Sequence, residues 1–519
     1  MARVPALFNV NGYFGCGNNS LPDFRNASEL LGHMDRLGID KALVWHLPTG
    51  SDDEMLKEIV CTPGAVQRLV PVMSISPDAR QDSADYARIK EKVASGEVRA
   101  IRVLLAKYRN RLTPLEPLLE EIKQYKPVLL FDTRDPLKIP AFNTDHLMDL
   151  AGKFPQIPMV YLQCEWITLG DACDLMRYRD NIYLDTSWLH MDQAIEHLIK
   201  DFGVDRLLFG VGPRSHNGAS LAALVHADIS EEARELIAHG NLDKLLNLEL
   251  TRPLCEKPGA GNTLWDKLIR KEPIDIDIVD AHTHIGSREE ADRAIKVMDR
   301  LGINMLVSVA NQAIYSDPIP GNWELLKDTS PYANRFLGYV VYNGHYHDEI
   351  TTERLDEYFA NPFFVGFKIL NFYWNIKITD PRFSGLWEYA DKHSLPILIH
   401  TWNDEFDSPA MLTAIVQKYK HAKFILGHSG GEDEGRLDAE ALAQQFPNVI
   451  LEFCGTFPSV IRWEDTLKRV SINQIVYGTD SMSHNMVWEL GRILSAELTD
   501  GQIGQILGTN IRKVLARQE

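Results

Sequence analysis

The sequence predicts an α/β chain of two tandem (β/α)8, TIM-like barrels. Three observations predict it: an internal repeat, short β-branched runs alternating with segments of helical period, and a length of 519 residues. That length suits two domains of ~250 residues better than one core. The repeat is direct. MDRLGI stands at 34–39 and again at 298–303, and three further pairs align in the same order: VRAIRVLLA with FVGFKILNF, KPVLLFDTRD with LPILIHTWND, and DRLLFGVGPRSHN with NQIVYGTDSMSHN. The expected division is a first copy over 1–255, a connection over 256–272 whose Pro and Gly open a turn, and a second copy over 273–519.

In the second copy the strands follow in order as IDIVDAH (276–282), NMLVSVA (304–310), FLGYVVY (336–342), FVGFKIL (364–370), PILIH (396–400), KFILGH (423–428), NVILEF (448–453) and QIVYG (474–478). Short, nearly continuous apolar runs suit strands covered on both faces. Between them lie segments of helical period such as ADRAIKVMDRLG (291–302) and SGLWEYADKHS (384–394). Parallel strands need such crossovers, and eight per copy favour a closed barrel over a doubly wound open sheet.

Composition narrows the function. With 54 basic and 72 acidic residues the formal charge is −18, which argues against nucleic acid or an anionic membrane as a main partner and leaves a small-molecule substrate. The N-terminal MARVPALFNVNG lacks an apolar core long enough for a signal peptide, and no run of ~18 apolar residues spans a bilayer, so a cytoplasmic protein is expected. Cys16, Cys61, Cys164, Cys173, Cys255 and Cys454 form no CxxC pair and read as buried free thiols. HExxH and GxxxxGK[ST] are absent, and zincin, nucleotide-binding and serine-hydrolase chemistry are not expected.

The chemistry sits at strand ends. Alternate residues of a strand share a face, so His282 and His284 project together at the end of the first strand, the rim where barrel enzymes work. His400, His428 and Asp480 are each the first polar residue after an apolar run. A core histidine with a satisfied hydrogen bond is the ordinary reading of any one of them. Four histidines and an aspartate on one rim are not expected from packing, and imidazole with carboxylate suits Zn²⁺ or a similar divalent ion.

With DAHTHIG, ILIHT, ILGHSGG and YGTDS in this order, the chain resembles the amidohydrolase superfamily over about 276–512. In particular it resembles the amidohydrolase-2 branch of aminocarboxymuconate-semialdehyde decarboxylase and related metal-dependent hydrolases and lactonases. The resemblance implies that His282, His284, His400 and Asp480 hold one divalent metal, Zn²⁺ first and Mn²⁺ or another ion as the alternative, with His428 catalytic beside it. Asp480 would also take a proton from water, and His428 would polarise the substrate or protonate a leaving group. Lys368 leaves a second arrangement open: carboxylated, it would bridge two metals, with His428 becoming a ligand.

Substrate contacts are expected from Lys368, Tyr373, Trp374, Trp402, His345 and Arg462, at or just beyond strand ends. Glu452 is a further candidate, and a solvated loop is the plainer reading of His345 and His347. His484 occurs in an SHN shared by both copies and is read as opening the next helix. In the first copy Asn11 stands at His282, Tyr13 at His284, Phe131 at His400, Gln163 at His428, Gly212 at Asp480 and Arg102 at Lys368. That barrel is expected to be metal-free: a structural domain on the plainer reading, a ligand-binding or regulatory module on the sharper one. Pairing of the two barrels within one chain would reproduce a dimer contact, and a homodimer is a further expectation. Metal-dependent hydrolysis of a lactone, amide or ester ranks first, non-oxidative decarboxylation of a small carboxylic acid second, and a noncatalytic metal-binding scaffold third.

Overall fold

The repeated hexapeptide shows how the sequence builds each copy. Residues 34–39 end the helix Ala27–Leu37, and residues 298–303 end the helix Arg288–Leu301. Gly38 and Gly302 take the left-handed turn at φ 76° and 75°. Ile39 N then donates to Met34 O at 2.8 Å and Ile303 N to Met298 O at 3.0 Å. This closure stops a helix without orphaned carbonyls and turns an apolar residue back toward the next strand. The same closure is needed twice, so the same six residues occur twice.

The computed structural model describes residues 5–15, 23–47, 52–77, 84–104, 111–132, 143–248 and 263–516. They form two nearly closed parallel barrels with helices between the strands, one in each of two compact units, Met1–Gly261 and Asn262–Glu519. The first barrel runs β1 Phe8–Gly15, β2 Lys41–Leu47, β3 Leu69–Ile75, β4 Ala100–Val103, β5 Val128–Asp132, β6 Met159–Leu162, β7 Ile182–Asp185 and β8 Leu207–Leu208, each pairing with the next. The second runs β9 Val279–Ile285, β10 Met305–Ala310, β11 Phe336–Val341, β12 Phe364–Ile369, β13 Pro396–His400, β14 Lys423–Gly427, β15 Val449–Glu452 and β16 Ile475–Val476. Val10 N donates to Phe209 O and Ala281 N to Tyr477 O, both at 2.9 Å, which brings each last strand back to the first.

Phe8, Leu43, Val72, Ala100, Leu130 and Val160 belong to one buried cluster of the first barrel. Each of the larger of these side chains contributes roughly 1.5–3 kcal/mol on burial, so this barrel has a packed core of its own. The stretch read as a connection is unlike a plain loop in its described part: Thr263–Ile269 is a helix with Trp265 and Leu268 buried. Residues 256–262 lie outside the described residues. No described helix is long and apolar enough to cross a membrane.

Two expectations need correction. Cys164 and Cys454 are buried free thiols, but Cys61 is exposed at the end of an amphipathic helix and Cys173 is half-buried; Cys16 and Cys255 lie outside the described residues. The first-copy alignment also slips by one at the fifth strand. Arg102 pairs with Leu130 and Lys368 with Leu398, so Asp132, not Phe131, stands at His400. Both strands read as apolar runs, and pairing register alone fixes which residue ends them.

Candidate metal centre

His282 and His284 lie on β9 with their Nε2 atoms 3.3 Å apart. Asp480 Oδ1 lies 2.9 Å from His284 Nε2 and 3.4 Å from His282 Nε2. It follows β16 in the left-handed region at φ 55°, and His428 follows β14 at φ 63°. Non-glycine residues reach this region at a cost of roughly 1–2 kcal/mol each and concentrate at functional sites. The His428 ring lies 5.1 Å from that of His282 and 4.9 Å from that of His400. The five side chains expected at the rim are thus neighbours.

Carboxylates behind the histidines fix their orientation. His282 Nδ1 lies 2.9 Å from Glu452 Oε2, and His400 Nδ1 2.9 Å from Asp407 Oδ2. A carboxylate on Nδ1 keeps the proton there and leaves Nε2 as a lone pair. His428 Nδ1 lies 2.8 Å from the Cys454 carbonyl, with the same consequence. Asp280, two residues before His282, accepts from His282 N and Thr479 N, both at 3.1 Å, and holds the end of β16 against β9. Asp280 and Asp407 were not singled out from sequence. The Asp of DAHTH was a visible signal for the first; Asp407, in a loop seven positions after His400, gave none.

The electrostatics fit a cation. Burial, reinforced by Lys368, pushes the His282 imidazolium well below its ordinary range, and burial does the same to His428, so both rings are neutral. Burial alone would raise Asp480, but His282 and His284 hold its carboxyl well below the usual range. Lys368 Nζ is fully buried, 2.8 Å from His282 Nε2, and burial lowers it to about 8. Neutral imidazoles with inward lone pairs and an ionised carboxylate are the donor set of a divalent ion. His282, His284 and Asp480 bring donor atoms within 4.8 Å of one another, as do His282, His428, Glu452 and Cys454. The second group is better explained as support, because burial drives the Cys454 thiol well above its ordinary range and Glu452 already engages His282.

The other expected residues divide. Tyr373 meets His400 edge-on at 5.5 Å, and Trp402 lies near-parallel to it at 6.4 Å. Trp374 is buried with Nε1 donating to Ile314 O, and its carbonyl meets His345 Nε2 at 3.0 Å. His347 Nδ1 lies 3.1 Å from Gly344 O. Arg462 pairs with Asp465 at 3.0 Å. His345, Trp374 and Arg462 therefore have partners away from the histidine cluster. His484 does not open the following helix: Asn485 caps it by accepting from Val487 N and Trp488 N, while His484 stacks on Phe457 and turns Nε2 to 3.6 Å from Asp480. Residues 427–431 do spell the G-x-S-x-G of serine hydrolases, so the exclusion rests on geometry. Ser429 is fully buried and its hydroxyl bonds to the backbone carbonyls of Leu426 and Glu452, which is no posture for a nucleophile.

The model of the Amidohydrolase family matches residues 18–248 and again 279–517. A comparison with curated proteins finds no match. Similar solved structures include a 5-carboxyvanillate decarboxylase from Sphingomonas paucimobilis (15% identity, 47% of this chain and 99% of that one, TM-score 0.37). Others are a 2,6-dihydroxybenzoate decarboxylase from Rhizobium (16%, 46% and 98%, TM-score 0.38) and a dihydroxybenzoic acid decarboxylase from Polaromonas sp. JS666 with bound manganese (14%, 46% and 97%, TM-score 0.37).

Proposed function

The chain belongs to the amidohydrolase family in both halves, and from that premise we propose that its second barrel is a metal-dependent, non-oxidative decarboxylase of a small, flat carboxylic acid. The observation that supports this reading is Lys368: a fully buried amine 2.8 Å from His282 Nε2. A cation there recognises a substrate carboxylate, whereas a neutral lactone or amide gains little from it. Tyr373 and Trp402, both beside His400, supply aromatic walls.

His282, His284, His400 and Asp480 would hold one divalent ion. Bound, it would supply Lewis-acid polarisation of a substrate oxygen and fix the acid's orientation. Lys368 positions the carboxylate, and the dry floor formed by His282, Glu452 and His428 strips its hydration, which loss of neutral CO₂ relieves. The carbon that gives up CO₂ takes one proton in its place, so the balance is RCOO⁻ + H⁺ → RH + CO₂. His428 is placed to relay that proton, its Nδ1 fixed on the Cys454 carbonyl and its Nε2 left for substrate or water.

Hydrolysis, first in the sequence ranking, becomes the second reading. What favours it is Asp480, kept ionised by its histidines and so suited to accept a proton from attacking water. The deciding experiment offers hydroxylated benzoic acids, lactones, amides and esters to the Zn²⁺- or Mn²⁺-loaded chain. CO₂ release without incorporation of solvent oxygen is expected, with His428→Asn abolishing turnover while one metal stays bound. Solvent oxygen in the product with no CO₂ overturns the proposal in favour of hydrolysis, and two metals per chain, both lost on Lys368→Ala, would indicate the bridged arrangement.

A further inference from the structure

Away from the candidate metal centre, several buried polar atoms without partners lie at the strand ends of the first barrel. Asn11, Ser74 and Arg102 are 3%, 8% and 6% exposed. Among the described residues, Asn11 Oδ1, Ser74 Oγ, Arg102 Nε and Nη1, and Asp132 Oδ1 have no hydrogen-bond partner. These groups come from β1, β3, β4 and β5. Ser74 and Arg102 are paired in register, and Asp132 ends the next strand. Asn11 and Arg102 occupy the places of His282 and Lys368, which touch in the second barrel.

Arg102 is rigidly held yet only partly used. Its guanidinium lies over the Trp45 ring, 3.2 Å from the centroid, and its Nη2 pairs with Asp132. A pair serving only to brace the barrel would be fully bonded, because a buried charge with bare N–H groups is costly. Here the bare N–H groups of Arg102 belong to the same ion pair as the bare Oδ1 of Asp132, and that pair has little net charge. That combination suits a ligand carrying its own carboxylate and its own donor rather than a simple anion.

We propose that the strand ends of the first barrel form a metal-independent binding site for a small organic acid with a hydroxyl or ammonium group beside its carboxylate. The free N–H groups of Arg102 take the carboxylate. The oxygens of Asn11 and Asp132 accept from the neighbouring hydroxyl or ammonium, and Ser74 Oγ serves either side. No residue of the metal centre takes part, so the site stands or falls apart from the proposed reaction.

The test uses the full chain stripped with EDTA, with glycolate, L-lactate and L-serine as probes. At saturating levels at least one is expected to raise the thermal midpoint by roughly 2–4 °C. His428→Asn should keep the shift. Arg102→Met/Asp132→Asn, which removes both charges together and leaves neither stranded, should abolish it with the circular dichroism unchanged, and Asn11→Ala should weaken it at least severalfold in Kd. Absence of any shift with all three probes, an equal shift in the double variant, or an equal shift with acetate, which lacks the donor, overturns the proposal. If the double variant does not fold, Asn11→Ala decides: unchanged affinity in that variant overturns it.

Discussion

Asn9 in the first barrel and Asp280 in the second hold the same place and make the same bonds. Asn9 Oδ1 accepts from Asn11 N at 3.0 Å and Val211 N at 2.9 Å; Asp280 Oδ1 accepts from His282 N and Thr479 N, both at 3.1 Å. Each ties the end of the last strand to the first. After the sixth strand of each barrel, Gln163 and His428 share the left-handed backbone at φ 58° and 63°, and each places its N–H on a carboxylate at the end of the seventh strand, Asp185 or Glu452. The two rims thus share a backbone scaffold and differ in what it carries. Where the second presents His282, His284, His400 and Asp480, the first presents Asn11, Tyr13, Asp132 and Gly212. The scaffold is a requirement of closing the barrel, and the histidine and carboxylate side chains of the second rim are an addition to it.

The sharpest way to break this comparison is to exchange the load. His282→Asn, which installs the first barrel's residue, is expected to remove bound metal and lower turnover roughly a thousandfold or more, the several kcal/mol that a divalent ion supplies. Asn11→His in the first barrel is expected to add no metal, because Tyr13 and Gly212 supply no histidine or carboxylate and Asp132, the one carboxylate at a ligand position, is paired with Arg102. Elemental analysis of both variants checks it: a metal gained by Asn11→His, or retained by His282→Asn, contradicts the division of labour.

A smaller effect is expected one layer out. Glu452→Gln leaves every proposed ligand in place but removes the charge that holds the His282 Nδ1 proton, so metal affinity should fall about 10–100-fold. Competition with a chelator measures it. Asp185→Asn, the matching change in the first barrel, should leave the affinity untouched.

These same residues show how far the sequence was legible. Strand-end histidines were, because an apolar run that stops at His282, His400 or His428 marks the rim directly. Carboxylates that act from elsewhere were not. Asp407 reaches His400 from its own loop, and nothing in NDEFD separates it from Asp404, which instead accepts from Phe406 N and Asp407 N. Trp374 and His345 had the position of pocket residues, yet their polar atoms are satisfied by backbone, a matter of rotamer rather than spacing. Asp132 was hidden by one residue of register.

The last effect concerns Asp185 itself, a carboxyl buried at the strand ends of the first barrel. Burial lifts this group from an ordinary 3.8 to about 7, against the bonds from Ser187 and the Gln163 N–H that favour the charged form, and Asp132 nearby pushes the same way as burial. The folded chain therefore holds a proton that the unfolded chain has released. Between these two values each unit rise in pH should cost up to about 1.4 kcal/mol of folding stability. The contribution is complete below about pH 4 and lost once the pH passes about 7. Asp185→Asn removes the titration, so urea midpoints of wild type and variant should draw apart steadily from pH 4 to 7, the variant gaining, and then run parallel. Midpoints that stay parallel throughout would mean that Asp185 is as well solvated or paired as an ordinary carboxylate, and that the first rim is a finished interior rather than an emptied site.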